Sequence, residues 1–272
     1  MRSLPSAIWH SSAIAIYLVS IVGVLALLLP FIVASATPQL PQSASRTVEA
    51  SLLLAAIVAG TLVLALTEVV RKPGAESLSR SIALLGTLVA IDATLRLVPS
   101  FLGASPIFAL IILVGYVFGA SFGFMMGTLT LFLSAVLTAG IGPWLPFQML
   151  CAGWMGAGAG LLPRSRYPLA SLAIVAVYGM VAGFAYGAVM NLYSWPLAAP
   201  GTSQDVGLYW HGGLSLDETL QRYGRFYLVT SLVHDSTRAV ANLVLILVAG
   251  GPTIRLLQRF RVRMTWREVT AA

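Results

Sequence analysis

Apolar runs long enough to cross a bilayer recur along this chain, separated by short polar or basic stretches, and that repetition constrains the fold more than any motif does. A helix rising 1.5 Å per residue needs about 20 apolar residues to span the hydrocarbon core. Runs of this kind fall at 13–33, 48–70, 81–98, 146–162, 168–193 and 223–250. One further run, 106–139, would be about 50 Å long as a single helix, too long for one crossing and short for two full ones. It reads as two closely packed passes that turn near 119–122. Composition agrees, because only 9% of the 272 residues are charged and 58% are hydrophobic. A soluble domain carries about 25% charged residues. The expectation is an all-α integral membrane protein of about eight transmembrane helices.

Basic residues set the orientation. The 16 bases include a single lysine, and they sit between apolar runs rather than on one aromatic-rich face, which disfavours nucleic acid as a partner. With eight crossings, both termini share a side. That side holds Arg2, the Arg71-Lys72 and Arg80 loop, the Arg164 and Arg166 loop, and a tail with Arg255, Arg259, Arg261, Arg263 and Arg267. Eleven of the 16 bases then lie together, and the positive-inside rule makes this side cytoplasmic. Counting 106–139 as one crossing would turn the two later basic segments outward. Ala34-Ser35-Ala36 resembles a signal-peptide cleavage site, but the run before it is longer than a signal core, so it reads as a span. The one cysteine, Cys151, makes no disulfide framework, zinc set or redox pair.

Small residues recur at helical spacing. Gly115, Gly119, Gly123 and Gly127 form one ladder, Ala152, Gly156 and Gly160 a second, and Gly179, Gly183 and Gly187 a third. In lipid, close helix packing relies on such residues, so the ladders predict a tight bundle. On the third run Ala83, Gly86, Ala90 and Ala93 share a flat stripe. Such a stripe packs against another helix, more often one of the same chain than a partner's.

Charge inside a span is costly and usually faces the bundle interior or a water-filled cavity. Asp92 and Arg96 have the spacing and order of an intrahelical pair. Tyr227, Ser231, His234, Asp235, Arg238 and Asn242 fall on one face of the last run. Asp92, Asp235 and Arg238 are expected to form a structural charge network with Arg96. Arg96 and His234, nearer the outside, are expected to line a cavity with Trp144, Gln148 and Asn191. The 194–222 loop is long enough to cover its mouth.

The stretch from Arg96 to Pro163 resembles the substrate-binding S component of an energy-coupling factor (ECF) transporter. The residues that carry the resemblance are Arg96-Leu-Val-Pro99 closing a span, then Ser105-Pro-Ile-Phe108, Gly115-Tyr-Val-Phe-Gly119 and Gly123-Phe-x-x-Gly127. Gly142-Pro-Trp-Leu-Pro-Phe-Gln148, followed by the helix ending in Gly160-Leu-Leu-Pro163, is the most specific part. The resemblance implies a six-helix substrate-binding bundle over 79–252, preceded by two extra transmembrane helices in 1–78 and followed by a basic cytoplasmic tail, 253–272. It implies a prokaryotic cell-membrane protein that captures a vitamin-like micronutrient outside. The ligand would be delivered through a transmembrane coupling protein driven by two ABC ATPases. It further implies that Ala83, Gly86, Ala90 and Ala93 dock the coupling protein, with Gly86 where the family pattern has alanine.

No Walker segment, GxSxG, HExxH or CxxC occurs, so no catalytic activity, cofactor or metal is expected and ATP hydrolysis falls to a partner. Two rival readings are a membrane-embedded enzyme using His234, Asp235 and Asp92, and a stand-alone secondary transporter. The first lacks a spaced carboxylate or metal-ligand set. The second lacks a matching pair of interrupted helices in two halves.

Overall fold

The structure, a computed structural model, describes residues 6–36, 42–71, 75–98, 102–197 and 207–265. Among these residues there are nine α-helices and no strand. They are α1 (Ser6–Ala36), α2 (Gln42–Arg71), α3 (Ala75–Leu95), α4 (Ile107–Phe118), α5 (Ala120–Leu137), α6 (Leu145–Gly160), α7 (Pro168–Ser194), α8 (Leu216–Thr230) and α9 (Leu232–Thr265). A single 3-10 turn, Trp195–Leu197, follows α7.

Four stretches are long and apolar enough to cross a membrane unaided: Ala13–Ile32, Ala120–Leu137, Pro168–Ser194 and Leu232–Val262. Ala50–Ala65 and Ile107–Phe118 are apolar but shorter. The 12 residues of α4 rise about 18 Å, well under a hydrocarbon core of about 30 Å. The protein is therefore an all-α membrane protein, and the count of eight crossings remains a proposal.

The long 106–139 run does break where expected. Gly119 has φ +101°, a conformation that glycine adopts without the steric cost other residues meet, and the chain reverses there between α4 and α5. Reversal splits the first ladder between α4 and α5, and both halves face the second ladder on α6. A Cβ on Gly115 or on Gly123 would strike the Gly156 carbonyl oxygen, and one on Gly127 would strike that of Ala152. One on Gly160 would strike the backbone of Ala120. Three backbones thus touch where α4, α5 and α6 meet. Lipid offers these helices no hydrophobic reason to associate, so this close approach, with its dispersion contacts, holds them together.

A second seam joins α7 to α9, antiparallel. Gly187 leaves the notch that Asp235 fills, Gly183 faces Ala239, and Gly179 lies against Ile246 and Asn242. The polar stripe of α9 is therefore seated in the glycine ladder of α7.

The expected last run, 223–250, is corrected in one respect. The helix breaks at Ser231, whose φ of −124° ends α8, and a new helix begins at Leu232. The start of α8 lies well upstream of that break. Ser215 and Glu218 form a capping box that nucleates a separate, polar α8: the Ser215 side chain accepts from the Glu218 N–H, and the Glu218 carboxylate accepts from the Ser215 backbone and hydroxyl at 3.0 and 2.8 Å.

The hairpin of α1 and α2 lies against the bundle. Gly23 receives Leu150 of α6, Gly60 receives Val19, and Trp154 of α6 donates to the Ser20 hydroxyl at 2.8 Å. Leu53, Ile57 and Leu64 of α2 are fully buried.

Candidate functional site: a polar and aromatic centre in a membrane bundle

Side chains from five segments converge within about two to three helical turns of one end of the bundle. Phe108 opens α4 and stacks on Tyr186 of α7, ring centroids 4.8 Å apart. The Arg238 guanidinium of α9 lies over both rings, 4.9 Å from Tyr186 and 5.9 Å from Phe108. Arg238 is held by Asp235 at 2.5 Å and by the Gly183 carbonyl at 3.3 Å. Cys151 of α6 and Arg96 both lie within electrostatic range of this centre. Arg96 follows the last turn of α3 and donates to the Ser134 hydroxyl of α5 at 3.1 Å.

The expected network of Asp92, Asp235 and Arg238 with Arg96 forms only in part. Asp235 and Arg238 pair as neighbours on α9. Asp92 joins neither them nor Arg96. It is wholly buried, near Thr130 of α5, whose hydroxyl is turned to the Met126 sulfur at 3.9 Å, and neither Asp92 oxygen has a hydrogen-bond partner. The intrahelical pair fails because α3 ends at Leu95 and then tightens. The Arg96 N–H bonds to the Ala93 carbonyl three residues back, rather than four, which turns its side chain out of register with Asp92.

The five expected ligand contacts separate into two pairs and His234, which belongs to neither. Arg96 and Asn191 belong to the interior. Asn191 is buried, accepts from Ser231 at 2.8 Å, and keeps an amide nitrogen with no partner. Trp144 is 43% exposed, with its ring folded back over Gly142, and Gln148 lies half-buried one turn along α6. Both belong to the rim. The His234 side chain is exposed, and only its carbonyl turns inward, to Gly103. His234 therefore does not face the centre, a correction that follows from Asp235 taking the Gly187 notch and rotating its neighbour outward.

The small-residue stripe of α3 also differs from its commoner expected use. Ala83, Gly86 and Ala90 are exposed, with nothing near Gly86, and only Ala93 is buried. The face is open on the outside of the bundle rather than packed within it.

Two parts of the site are not visible in the sequence, and a third shows what holds the 194–222 loop expected over the mouth. Phe108 and Tyr186 lie in apolar runs where any aromatic looks like core. A cavity of about 170 Å³ opens sideways between α6 and α7, lined by Cys151, Trp154 and Met155 on one wall and Tyr178, Tyr186 and Val189 on the other. Tyr178 bridges the two helices, donating to the Met155 carbonyl at 2.8 Å, with its hydroxyl against Gly158. The third part is an aromatic cluster beyond the C-terminal end of α7. Trp195 is buried there against Phe31, Tyr223 and Phe226, and its indole N–H donates to the Leu208 carbonyl at 2.9 Å. Phe31 also meets Trp210 edge-on at 5.1 Å, so the end of α1 is tied to the segment before α8.

The opposite end is basic. Breaking the chain at Gly119 leaves carbonyls of the last turn of α4 without helical partners, and Arg164 and Arg261 donate to those of Tyr116 and Val117 at 3.1 and 2.9 Å.

The enzyme reading needs His234, Asp235 and Asp92 together. They face three ways: one outward, one into the α7 notch and one against α5.

No curated protein and no solved structure matches the chain. The family model described as "ECF transporter, substrate-specific component" matches residues 80–250, well over half of the chain and every helix from α4 to α8. That family is one of transport proteins rather than enzymes, and its members act with a transmembrane coupling protein and ATPases. An apolar helical bundle with a buried polar centre and a glycine-packed scaffold belongs, by this match, to the substrate-specific components of ECF transporters.

Proposed function

We propose that the protein captures a vitamin-like micronutrient from outside a prokaryotic cell and delivers it through a coupling protein driven by two ABC ATPases. The observation that carries this reading is the pairing of two surfaces on one bundle. A centre built on buried Tyr186 and Asn191, with the partly buried Arg238 and Arg96 beside them, sits near one end, and an open small-residue face, Ala83, Gly86 and Ala90, runs along α3. The first is a place for a small molecule, since pockets are mostly apolar with a few convergent polar groups. The second is a place for a partner helix, since small residues allow backbones to approach.

Trp144 and Gln148 would form the rim, and the segment before α8, tied down by Trp195, would cover the mouth. Both termini would lie in the cytoplasm, with Arg164 and Arg261 at the cytoplasmic end. The bundle from 79 to 252 would be the binding unit, and the α1–α2 hairpin an addition that braces α6 and the outer loop.

The test is mass spectrometry of small molecules released from protein purified in mild detergent. A stoichiometric ligand is expected with the parent. Arg96→Ala should weaken its binding by about 1–3 kcal/mol, as for loss of a buried polar partner, whereas Arg164→Ala should bind as the parent does. A ligand held equally by Arg96→Ala would place the site elsewhere.

A further inference from the structure

Two features of the centre are not explained by holding an arbitrary small molecule. The first is an imbalance of donors. Arg238 has Asp235 as its counter-charge, but the only hydrogen bond from Arg96 among the described residues is to a neutral hydroxyl, that of Ser134. Arg238 keeps an unpartnered Nε–H, and Asn191 an unpartnered amide nitrogen. A buried donor without an acceptor is costly, as for Asn191 and Arg238, and the half-buried Arg96 has no counter-charge among the described residues. Asp92, the nearest spare carboxylate by sequence, is turned against α5.

The second feature is the cavity between α6 and α7. Its lining is almost wholly apolar, and its rim includes the exposed Val181. Along α7 it runs from Tyr178 to Val189, about 16 Å. It also shares two walls with the centre. Tyr186 carries the Arg238 guanidinium on its ring, and Cys151 lies in range of the same charge. The apolar slot and the donor-rich centre thus meet at Tyr186, which lines the slot and carries the Arg238 guanidinium on its ring.

Resting on the reading above, we propose that the substrate is an anionic amphipath, with a carboxylate or phosphate head on Arg96 and Asn191 and an apolar arm in the slot between α6 and α7. The head would supply the acceptors that the centre lacks. The arm would fill space that otherwise only a lipid chain could occupy. Trp154 stands in the slot wall with its indole N–H fixed on Ser20 of α1, so the N-terminal hairpin would stiffen that wall.

Brominated probes test this directly, because bromine quenches a tryptophan it touches. The protein in nanodiscs is titrated with 11-bromoundecanoate and with 11-bromoundecanol, and the Trp154 contribution is isolated by difference against Trp154→Phe. The carboxylate should quench Trp154 saturably and at least tenfold more tightly than the alcohol. Arg96→Gln should remove that preference while leaving the alcohol unchanged. Ala185→Phe, which crowds the slot, should abolish quenching of Trp154 by both. Equal, non-saturating quenching by both probes, unchanged in Arg96→Gln, would show a lipid-filled seam and overturn the proposal. Carboxylate binding seen by calorimetry without quenching of Trp154 would overturn the assignment of the arm. Asp92→Asn separates a further case: if Arg96 were satisfied by Asp92, this variant would bind the carboxylate more tightly, and the charge argument would fail. Every arm uses the isolated protein, so failure here leaves the coupling reading standing and testable by itself.

Discussion

Removing the Asp235 carboxylate would leave Arg238 largely buried beneath Tyr186 and Phe108 without its counter-charge. Breaking a buried pair from one side typically costs about 3–5 kcal/mol, whereas replacing both partners by apolar groups is often neutral. Asp235→Asn should therefore lower the unfolding midpoint in detergent strongly, and Asp235→Leu with Arg238→Met should recover most of the loss. Asp92 should behave oppositely. Its oxygens have no partner to lose, so Asp92→Asn should cost less than about 0.5 kcal/mol or stabilise the fold. A loss as large as that of Asp235→Asn would show that Asp92 has a partner after all. That these acids need care was legible from their presence in spans. Their different fates were not, because ideal helical spacing pairs Asp92 with Arg96, whereas α3 ends at Leu95 and the backbone tightens at Arg96.

Glycine has opposite meanings on different helices. At Gly123 and Gly156 an added Cβ meets backbone that cannot yield, so leucine at either position should cost about 3 kcal/mol or more and yield aggregated protein. At Gly86 nothing lies within 4 Å, so Gly86→Leu should leave thermal stability within about 0.5 kcal/mol of the parent. Size-exclusion profiles and melting curves of the three variants check this. The two tight seams were readable from spacing, since a ladder repeating every four residues has one face. The direction in which the α3 stripe faced was not readable, because spacing says nothing about what lies opposite. The start of α8 was readable and went unread: Ser215-Leu-Asp-Glu218 is a capping signature. It also has a pH dependence. Donation from the Ser215 backbone and hydroxyl holds the Glu218 carboxyl below its ordinary value of 4.5. The ionised form is thus favoured in the folded state, so its contribution is present above pH 4.5 and lost as pH falls through the depressed value. Hydrogen exchange at 216–219 should quicken below that range, and Glu218→Gln should remove the dependence. Exchange independent of pH in the parent, after correction for intrinsic rates, would count against the cap.

On the scale of the molecule, the bundle divides into an end with unanswered donors, an end where Arg164 and Arg261 cap the carbonyls of α4, and a flank left open on α3. Hydrophobic runs made the membrane and the helices legible from sequence. The α6–α7 slot was not, since the residues that line it, from Cys151 to Val189, read in the sequence as ordinary apolar positions of two successive helices. Topology has a simple check: cysteine at Pro163 should label only from the cytoplasm and at Gln221 only from outside, with the buried Cys151 silent. Labelling of both from one side would remove the proposed count of crossings. The most direct test of the central claim is affinity purification from native membranes in mild detergent, with copurifying proteins quantified. The parent should bring down a transmembrane coupling protein and ABC ATPases in fixed ratio. Ala90→Leu should bring down neither while remaining monodisperse and still holding its small molecule. A parent that purifies without any ATPase, or an Ala90→Leu variant that retains the full complex, would contradict the account.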